Sequence, residues 1–371
     1  MQPHRVHLLS DALAAGRSPQ LMQRLRTQAT ALGLDLGCRP VRAGEDKIAA
    51  VDAVIWHLSE EAAPVAEIGV CRVAVVVSEA AIEPATRPAI GCNGHLIQGR
   101  GETGFKWALR FIAAQLAHRS VKFNYGPEPD QTGWLTQPRA DRGAGGLHPV
   151  AVLVHGGFWR DLVALDHMAP LSAYLAARGW VGCNLEYRRQ RHWHESCQDI
   201  LRALMQLPDH VARFGGDLSR VVLIGHSSGV QLLHGALAEG QRQLNRRGIR
   251  ARLMVSLAGL LDMAAAEAAG LGADAVQELI RGSASVPRIY DPLAQNLDTP
   301  MLLVHGAADH TVPPAQSRSY LARQWQNGSV DRLMLVEDVD HMDLIKPELP
   351  HWPAIEHEMA GAVMPCEESI A

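Results

Sequence analysis

The run Val221-Val222-Leu223-Ile224-Gly225-His226-Ser227-Ser228-Gly229 decides the architecture. Its four leading apolar residues predict a strand buried on both faces, and Val230 to Ala238 follows at once with helical spacing. Between strand and helix lies Gly-x-Ser-x-Gly. Such a turn projects one side chain from a bend so tight that its neighbours must lack a Cβ. A serine hydroxyl becomes a useful nucleophile only when a base takes its proton, and the register of the motif selects Ser227 over Ser228. A glycine-rich strand-to-helix turn without chemistry is the plain alternative, and the elements on either side weigh against it.

A second glycine turn, His155-Gly156-Gly157-Phe158-Trp159, ends the preceding strand Val150 to Val154. Attack on a carbonyl puts negative charge on its oxygen, and glycines let backbone N–H groups turn toward that charge. The amides of Gly157, Phe158 and Ser228 are the candidate oxyanion donors; losing one donor of this kind costs about 2.7 to 4 kcal/mol. The base and its orienting acid belong at later strand ends. Met301 to His305 leads into Asp309, 82 residues after Ser227, and Arg332 to Val336 leads into His341, 32 residues further on. Serine, aspartate, histidine is one of the established chain orders of a catalytic triad.

Other residues near these loops carry competing readings. Asp338, Asp340 and Asp343 flank His341 and stand as alternatives to Asp309, although sequence neighbours on a loop rarely reach the far ring nitrogen. His310 falls in the wrong chain order and is read as a rim or turn residue. Phe158, Trp159, Tyr187, Trp193, Leu260 and Met342 are candidates for apolar pocket walls and equally for ordinary core. Arg188 and Arg189 are candidates for holding a substrate carboxylate or for structural ion pairing. His192-Trp193-His194-Glu195 has no companion ligand cluster, so no metal is expected, and the triad chemistry requires no cofactor.

From Pro149 onward, strands at Val150 to His155, Val181 to Leu185, Val221 to Gly225, Arg252 to Leu257, Met301 to His305 and Arg332 to Val336 alternate with helical segments. That pattern predicts a mostly parallel sheet with helices on both faces. The first 118 residues show a weaker alternation: Arg5 to Leu9, Leu21 to Leu32, Asp52 to His57, Arg72 to Val77, His95 to Gln98 and Phe105 to Ala117. They predict a smaller α/β layer domain. Residues 119–147, with Pro127, Pro129 and Pro138, read as an extended connection, so the expected domains are 1–118, accessory, and 119–371, catalytic. Gly99-Arg100-Gly101-Glu102-Thr103-Gly104 formally matches a dinucleotide fingerprint. It comes last in its domain and lacks the later acid for a ribose, so a tight turn before a packed helix explains it better.

The chain has 371 residues with 35 basic and 39 acidic side chains, a net charge of -4, so nucleic acid and anionic membrane surfaces are not expected partners. No apolar run approaches the roughly 20 residues that span a bilayer, and the N-terminus lacks a signal-peptide pattern. The six cysteines (Cys38, Cys71, Cys92, Cys183, Cys197, Cys366) form no C-x-x-C pair. A cytoplasmic location with reduced thiols is expected.

Together these residues resemble the α/β-hydrolase superfamily over roughly Lys122 to Met364, and more closely its compact esterase and kynurenine formamidase branch. The branch's lead-in resembles Phe123-Asn124-Tyr125-Gly126-Pro127-Glu128-Pro129-Asp130-Gln131, and His155 to Trp159 and Glu186-Tyr187-Arg188-Arg189 are similar in kind. The resemblance implies an esterase or arylformamidase that acts on a small-molecule acyl substrate through an acyl-enzyme, with Ser227, Asp309 and His341 as triad. Rival readings are an acyltransferase using the same acyl-enzyme and a non-catalytic binding protein on the same fold. Two features depart from the branch. Thr132-Gly133-Trp134-Leu135 stands where a strand reading like Leu-Asp-Val-Tyr is usual, and compact members lack the N-terminal domain, which is read as a lid-forming, homo-oligomerising or substrate-shaping module.

Overall fold

The computed structural model describes residues 3–10, 13, 18–39, 53–58, 73–77, 94–139, 147–189, 193–280 and 286–364. Five strands, β1 (His4–Leu9), β2 (Leu34–Arg39), β3 (Ala53–Leu58), β4 (Val73–Val77) and β5 (Gly94–Gln98), form one parallel sheet in the order β2-β1-β3-β4-β5. Eight more form the larger sheet: β6 (Ser120–Asn124), β7 (Thr132–Thr136), β8 (His148–Val154), β9 (Val181–Leu185), β10 (Gly216–His226), β11 (Ala251–Leu257), β12 (Met301–Gly306) and β13 (Arg332–Val336). Their order is β13-β12-β11-β10-β8-β9-β7-β6, parallel from β13 to β9, with β7 antiparallel to both of its neighbours, β9 and β6.

The central strands are apolar throughout because both faces are covered. In β8, Val150, Val152 and Val154 pack under helices 193–205 and 228–246, whereas Ala151 and Leu153 meet helices 169–177 and 352–363 on the opposite face. Register then sets the site. Gly225 pairs with Val154 and His226 with Leu257, so the turns after β8 and β10 emerge side by side at the carboxyl edge of the sheet. That edge is where open α/β sheets place their chemistry.

Residues 119–147 are a correction to the reading of an extended connection: β6 and β7 lie within them, and all five residues of β7 are buried. Pro127 and Pro129 occupy the turn between the two strands and Pro138 follows β7, so the prolines bound the strands without interrupting them. β7 includes the divergent Thr132 to Leu135, and Gly133 is needed there because a Cβ would stand 2.7 Å from the Phe123 ring. β2 was not legible beforehand, since its only inward apolar pair is Leu34 and Leu36.

The strands divide between the two sheets after the helix 101–117, but the packing does not. Phe105, Ala108, Leu109 and Ile112 of that helix fill the core of the smaller sheet, joined by Trp134, Leu165, Ala169 and Ala173 from beyond it. Trp107 points the other way, into the cluster beneath the larger sheet. Gly99 and Gly101 both have positive φ (65° and 51°), which gives the glycine run the role of a tight turn opening that helix. Among the described residues no helix is long and apolar enough to cross a membrane.

Candidate active site

Ser227 links β10 to helix 228–246 at φ 55°, ψ -124°, a conformation that costs a non-glycine residue about 1–3 kcal/mol. Its surroundings hold it there. The Ser227 amide donates to Leu257 O at 2.9 Å, and its carbonyl accepts from Val230 at 3.1 Å and Leu260 at 3.3 Å. The flanking glycines are dictated by space: a Cβ on Gly225 would lie 2.7 Å from Val230 Cα, and one on Gly229 would lie 2.4 Å from Val154 O. Ser227 Oγ is buried and has no hydrogen-bond partner among the described residues.

Asp309 and His341 come together. His341 Nδ1 donates to Asp309 Oδ2 at 2.7 Å, and both residues are buried. Asp309 Oδ1 accepts from the amides of Thr311 (2.9 Å) and Val312 (2.8 Å), so the carboxylate is fixed at both ends. Burial alone would raise its pKa, but hydrogen bonds from His305 and His341, with the His341 charge and the Val312 amide, hold the carboxyl well below the usual range. An ionised Asp309 keeps the His341 proton on Nδ1 and leaves Nε2 as an acceptor. The His341 ring lies 4.6 Å from that of His226, and His226 Nε2 donates to the His341 carbonyl at 3.1 Å. The loop carrying His341 is thereby tied to the residue preceding Ser227. His226 itself stays neutral, because burial and the neighbouring His341 push its pKa down to about 3.

Of the alternative acids, Asp340 Oδ1 instead accepts from the Asp343 amide at 2.8 Å, and Asp343 pairs with Lys346. His310 is exposed. His305 was missed by sequence reasoning: its Nε2 donates to Val312 O at 2.8 Å and lies 3.5 Å from Asp309 Oδ2, and its Nδ1 meets Ser317 Oγ at 2.8 Å. The available signal was its place at the end of β12.

The turn after β8 carries three successive positive φ values, Gly157 (114°), Phe158 (51°) and Trp159 (59°), and swings its backbone around beside Ser227. No described residue accepts from the amides of Gly157 or Phe158. The turn is built from below: Tyr187 OH donates to His155 O at 3.1 Å, its ring stacks on His155 at 4.5 Å, and His155 Nε2 meets Glu186 Oε1 at 2.8 Å. Glu186 also accepts from the Leu165 amide and from Arg189 Nη1. Burial acts to raise its pKa, but Arg189 and His155 hold the carboxyl well below the usual range. Gly156 approaches so closely that a Cβ would stand 2.6 Å from Ser227 Cβ and 2.8 Å from His226 O. Gly156→Ala should therefore displace serine and turn together and lower kcat about 10²-fold, as a misplacement of about 1 Å does; initial rates on p-nitrophenyl acetate check this.

The candidate pocket residues separate into different positions. Trp159 is buried, with Nε1 donating to Gln231 Oε1 at 3.1 Å, and Phe158 is partly exposed and packs on Gly272. Leu260 is fully buried beside Ser227, and Met342, the neighbour of His341, is partly buried. Tyr187 lies beneath the turn, fully buried. For Arg188 the structure favours the ion-pair reading over substrate binding: Nε and Nη2 both contact Asp199 at 2.8 Å, and the Arg188 amide donates to the same carboxylate. Arg189 is likewise surrounded by Glu186 (2.7 Å), Asp161 and Asp130 (both 3.4 Å). The Trp193 side chain lies outside the described residues.

A parallel sheet, a strained serine at the strand-to-helix turn, and an Asp–His pair on later strand loops define a class. The chain has the α/β-hydrolase fold, and the proteins it resembles in fold and sequence are esterases. More narrowly, residues 139–323 match the BD-FAE family model. Esterase B from Lactobacillus rhamnosis superposes with a TM-score of 0.57 at 20% identity, over 69% of this chain and 90% of that one. Esterase LipW from Mycobacterium marinum gives 0.56 at 20% identity, over 69% and 87%. Among sequence relatives, a probable isoprenylcysteine alpha-carbonyl methylesterase of Oryza sativa subsp. japonica is 28% identical over 63% of this chain and 59% of its own length. Esterase LipC of Mycobacterium tuberculosis is 27% identical over 57% of each. The chain thus spans less than two thirds of the length of these curated relatives.

Proposed function

We propose that the chain is a serine hydrolase of small carboxylic esters, with Ser227 as nucleophile, His341 as base and Asp309 as the acid that orients it. The observation that carries this reading is the 2.7 Å bond from His341 Nδ1 to Asp309 Oδ2, on a loop anchored to residue 226. Ser227 Oγ attacks the acyl carbon while His341 Nε2 takes its proton. The amides of Gly157, Phe158 and Ser228 stabilise the resulting oxyanion. His341 then passes the proton to the leaving alcohol and an acyl-enzyme remains. A water molecule, deprotonated by the same nitrogen, attacks that ester; Ser227 recovers its proton and the acid departs. Asp309 stabilises the imidazolium without being protonated.

Esters are the leading class because the curated relatives are named for ester hydrolysis, one as a methylesterase. N-acyl and N-formyl arylamines form a second class, supported by the likeness of Phe123 to Gln131 and Glu186 to Arg189 to the kynurenine formamidase branch; an aniline is a better leaving group than an alkyl amine. Residues 119–371 are taken as the catalytic domain and 1–118 as an accessory domain. The deciding experiment is a panel of methyl and p-nitrophenyl esters of short and long acids together with N-formylkynurenine, run beside fluorophosphonate labelling. Turnover of short esters with labelled Ser227 supports the reading. Absence of both rejects catalysis, and product partitioning toward added alcohol or amine would indicate acyl transfer instead.

A further inference from the structure

Asp166 is a fully buried charge that the reaction itself does not use. It sits in the short turn Leu165–His167, eight residues beyond Phe158. Both of its oxygens are held from the smaller sheet's side: Arg100 Nη1 donates to Oδ2 at 2.6 Å, Nη2 to Oδ1 at 2.9 Å, and His95 Nε2 meets Oδ1 at 3.1 Å. Arg100 Nε also donates to Leu162 O, and Trp107 stacks on His167 at 4.0 Å and 25°. Three residues from 94–118 thus grip the segment 162–167.

The same segment is tied on its other side to the turn after β8. The Leu165 amide donates to Glu186 Oε2 at 3.1 Å, Asn184 Nδ2 donates to Leu165 O at 2.8 Å, and Glu186 Oε1 meets His155 Nε2 at 2.8 Å. A continuous polar path therefore runs from Arg100 through Asp166, Leu165 and Glu186 to the residue preceding Gly156. Packing holds only part of this seam: Leu165 sits in the core of the smaller sheet, while a pocket of about 150 Å³, lined by His95, Gln98, Asp161, Ala164, Glu186 and Arg189 among others, lies alongside. Charge-assisted, two-pronged contacts are the strong ones, and here they add to the packing of Leu165 and His167.

We propose that the N-terminal domain is a strut for the oxyanion turn, in which Arg100 is a positioning residue that sets residues 155–165 for acyl transfer through its grip on Asp166 and Leu162. The proposal rests on the reading of Gly157 and Phe158 as oxyanion donors. A loosened turn still admits the ester but stabilises the tetrahedral intermediate less, so kcat falls while KM holds.

The test uses the full chain with p-nitrophenyl butyrate and four variants. Arg100→Ala and Asp166→Asn should lower kcat at least tenfold with KM within twofold. Arg100→Lys keeps the charge and loses the fork, so it should fall between these and wild type. Glu348→Gln, which breaks the 2.8 Å pair with Arg110 elsewhere on the same seam, should leave kcat unchanged. Arg100→Ala leaves a buried carboxylate without its guanidinium, with only His95 still in contact among the described residues; if it fails to fold, Arg100→Lys and Asp166→Asn decide. Unchanged kcat in those two, or an equal loss in Glu348→Gln, overturns the strut. A wild type that neither turns over ester nor is labelled at Ser227 rejects the hydrolase reading and the strut with it, whereas an active wild type with unaffected variants rejects the strut alone.

Discussion

Ser227→Ala should lower kcat by about 10⁴ to 10⁶-fold, the range seen when the nucleophile of such a unit is removed. The residual rate would come from the oxyanion donors and substrate binding alone. Because Ser227 Oγ has no hydrogen-bond partner among the described residues, its removal breaks no hydrogen bond among them. Thermal unfolding should stay within about 0.5 kcal/mol of wild type, as for other changes that touch no packing or network. Ser228→Ala supplies the contrast. Its amide, not its side chain, is assigned to the reaction, so fluorophosphonate labelling should persist in Ser228→Ala and vanish in Ser227→Ala. Labelling that survives in Ser227→Ala and vanishes in Ser228→Ala would move the nucleophile by one residue and contradict the register of the turn.

How far the sequence carries is visible in which residues could be found early. Ser227, Asp309 and His341 could be nominated as a triad because nucleophile, acid and base come from few residue types, and the topology of a parallel sheet restricts them to strand ends. Glu186 and Asp166 were not. Their partners are a ring from the turn after β8, a backbone amide from a distant turn, and an arginine from the turn after β5, and no local spacing links these. β6 and β7 were hidden for another reason: prolines that bound strands look, in one dimension, like prolines that prevent them. The proposed pocket walls were inseparable from core because Trp159, Tyr187 and Leu260 are all buried beside the site. Arg188 shows the limit for charges, since Asp199, which neutralises it, belongs to helix 193–205 and could as well have faced solvent.

Asp309→Asn should reduce kcat by about 10⁴-fold, the cost of placing the wrong tautomer on a triad histidine. Thr311 and Val312 would still find an acceptor at the amide oxygen, so the loop keeps its shape. The amide nitrogen would then face His341 Nδ1 and donate to it, which moves the ring proton to Nε2 and leaves no acceptor for Ser227. Asn at 338, 340 or 343 should each stay within about threefold of wild type, because surface changes outside the network carry small effects. A loss of the larger size at any of these three would transfer the role of orienting acid from Asp309. A second readout comes from stability. Burial would raise the Asp309 pKa, but hydrogen bonds from His305 and His341 depress it below the unfolded value near 3.9. The stabilisation from an ionised Asp309 is therefore complete well above pH 4 and fades as pH falls toward the folded pKa. The unfolding free energies of wild type and Asp309→Asn should differ most at neutral pH and converge in acid; parallel curves across that range would show that the carboxylate is not held by the histidines in solution.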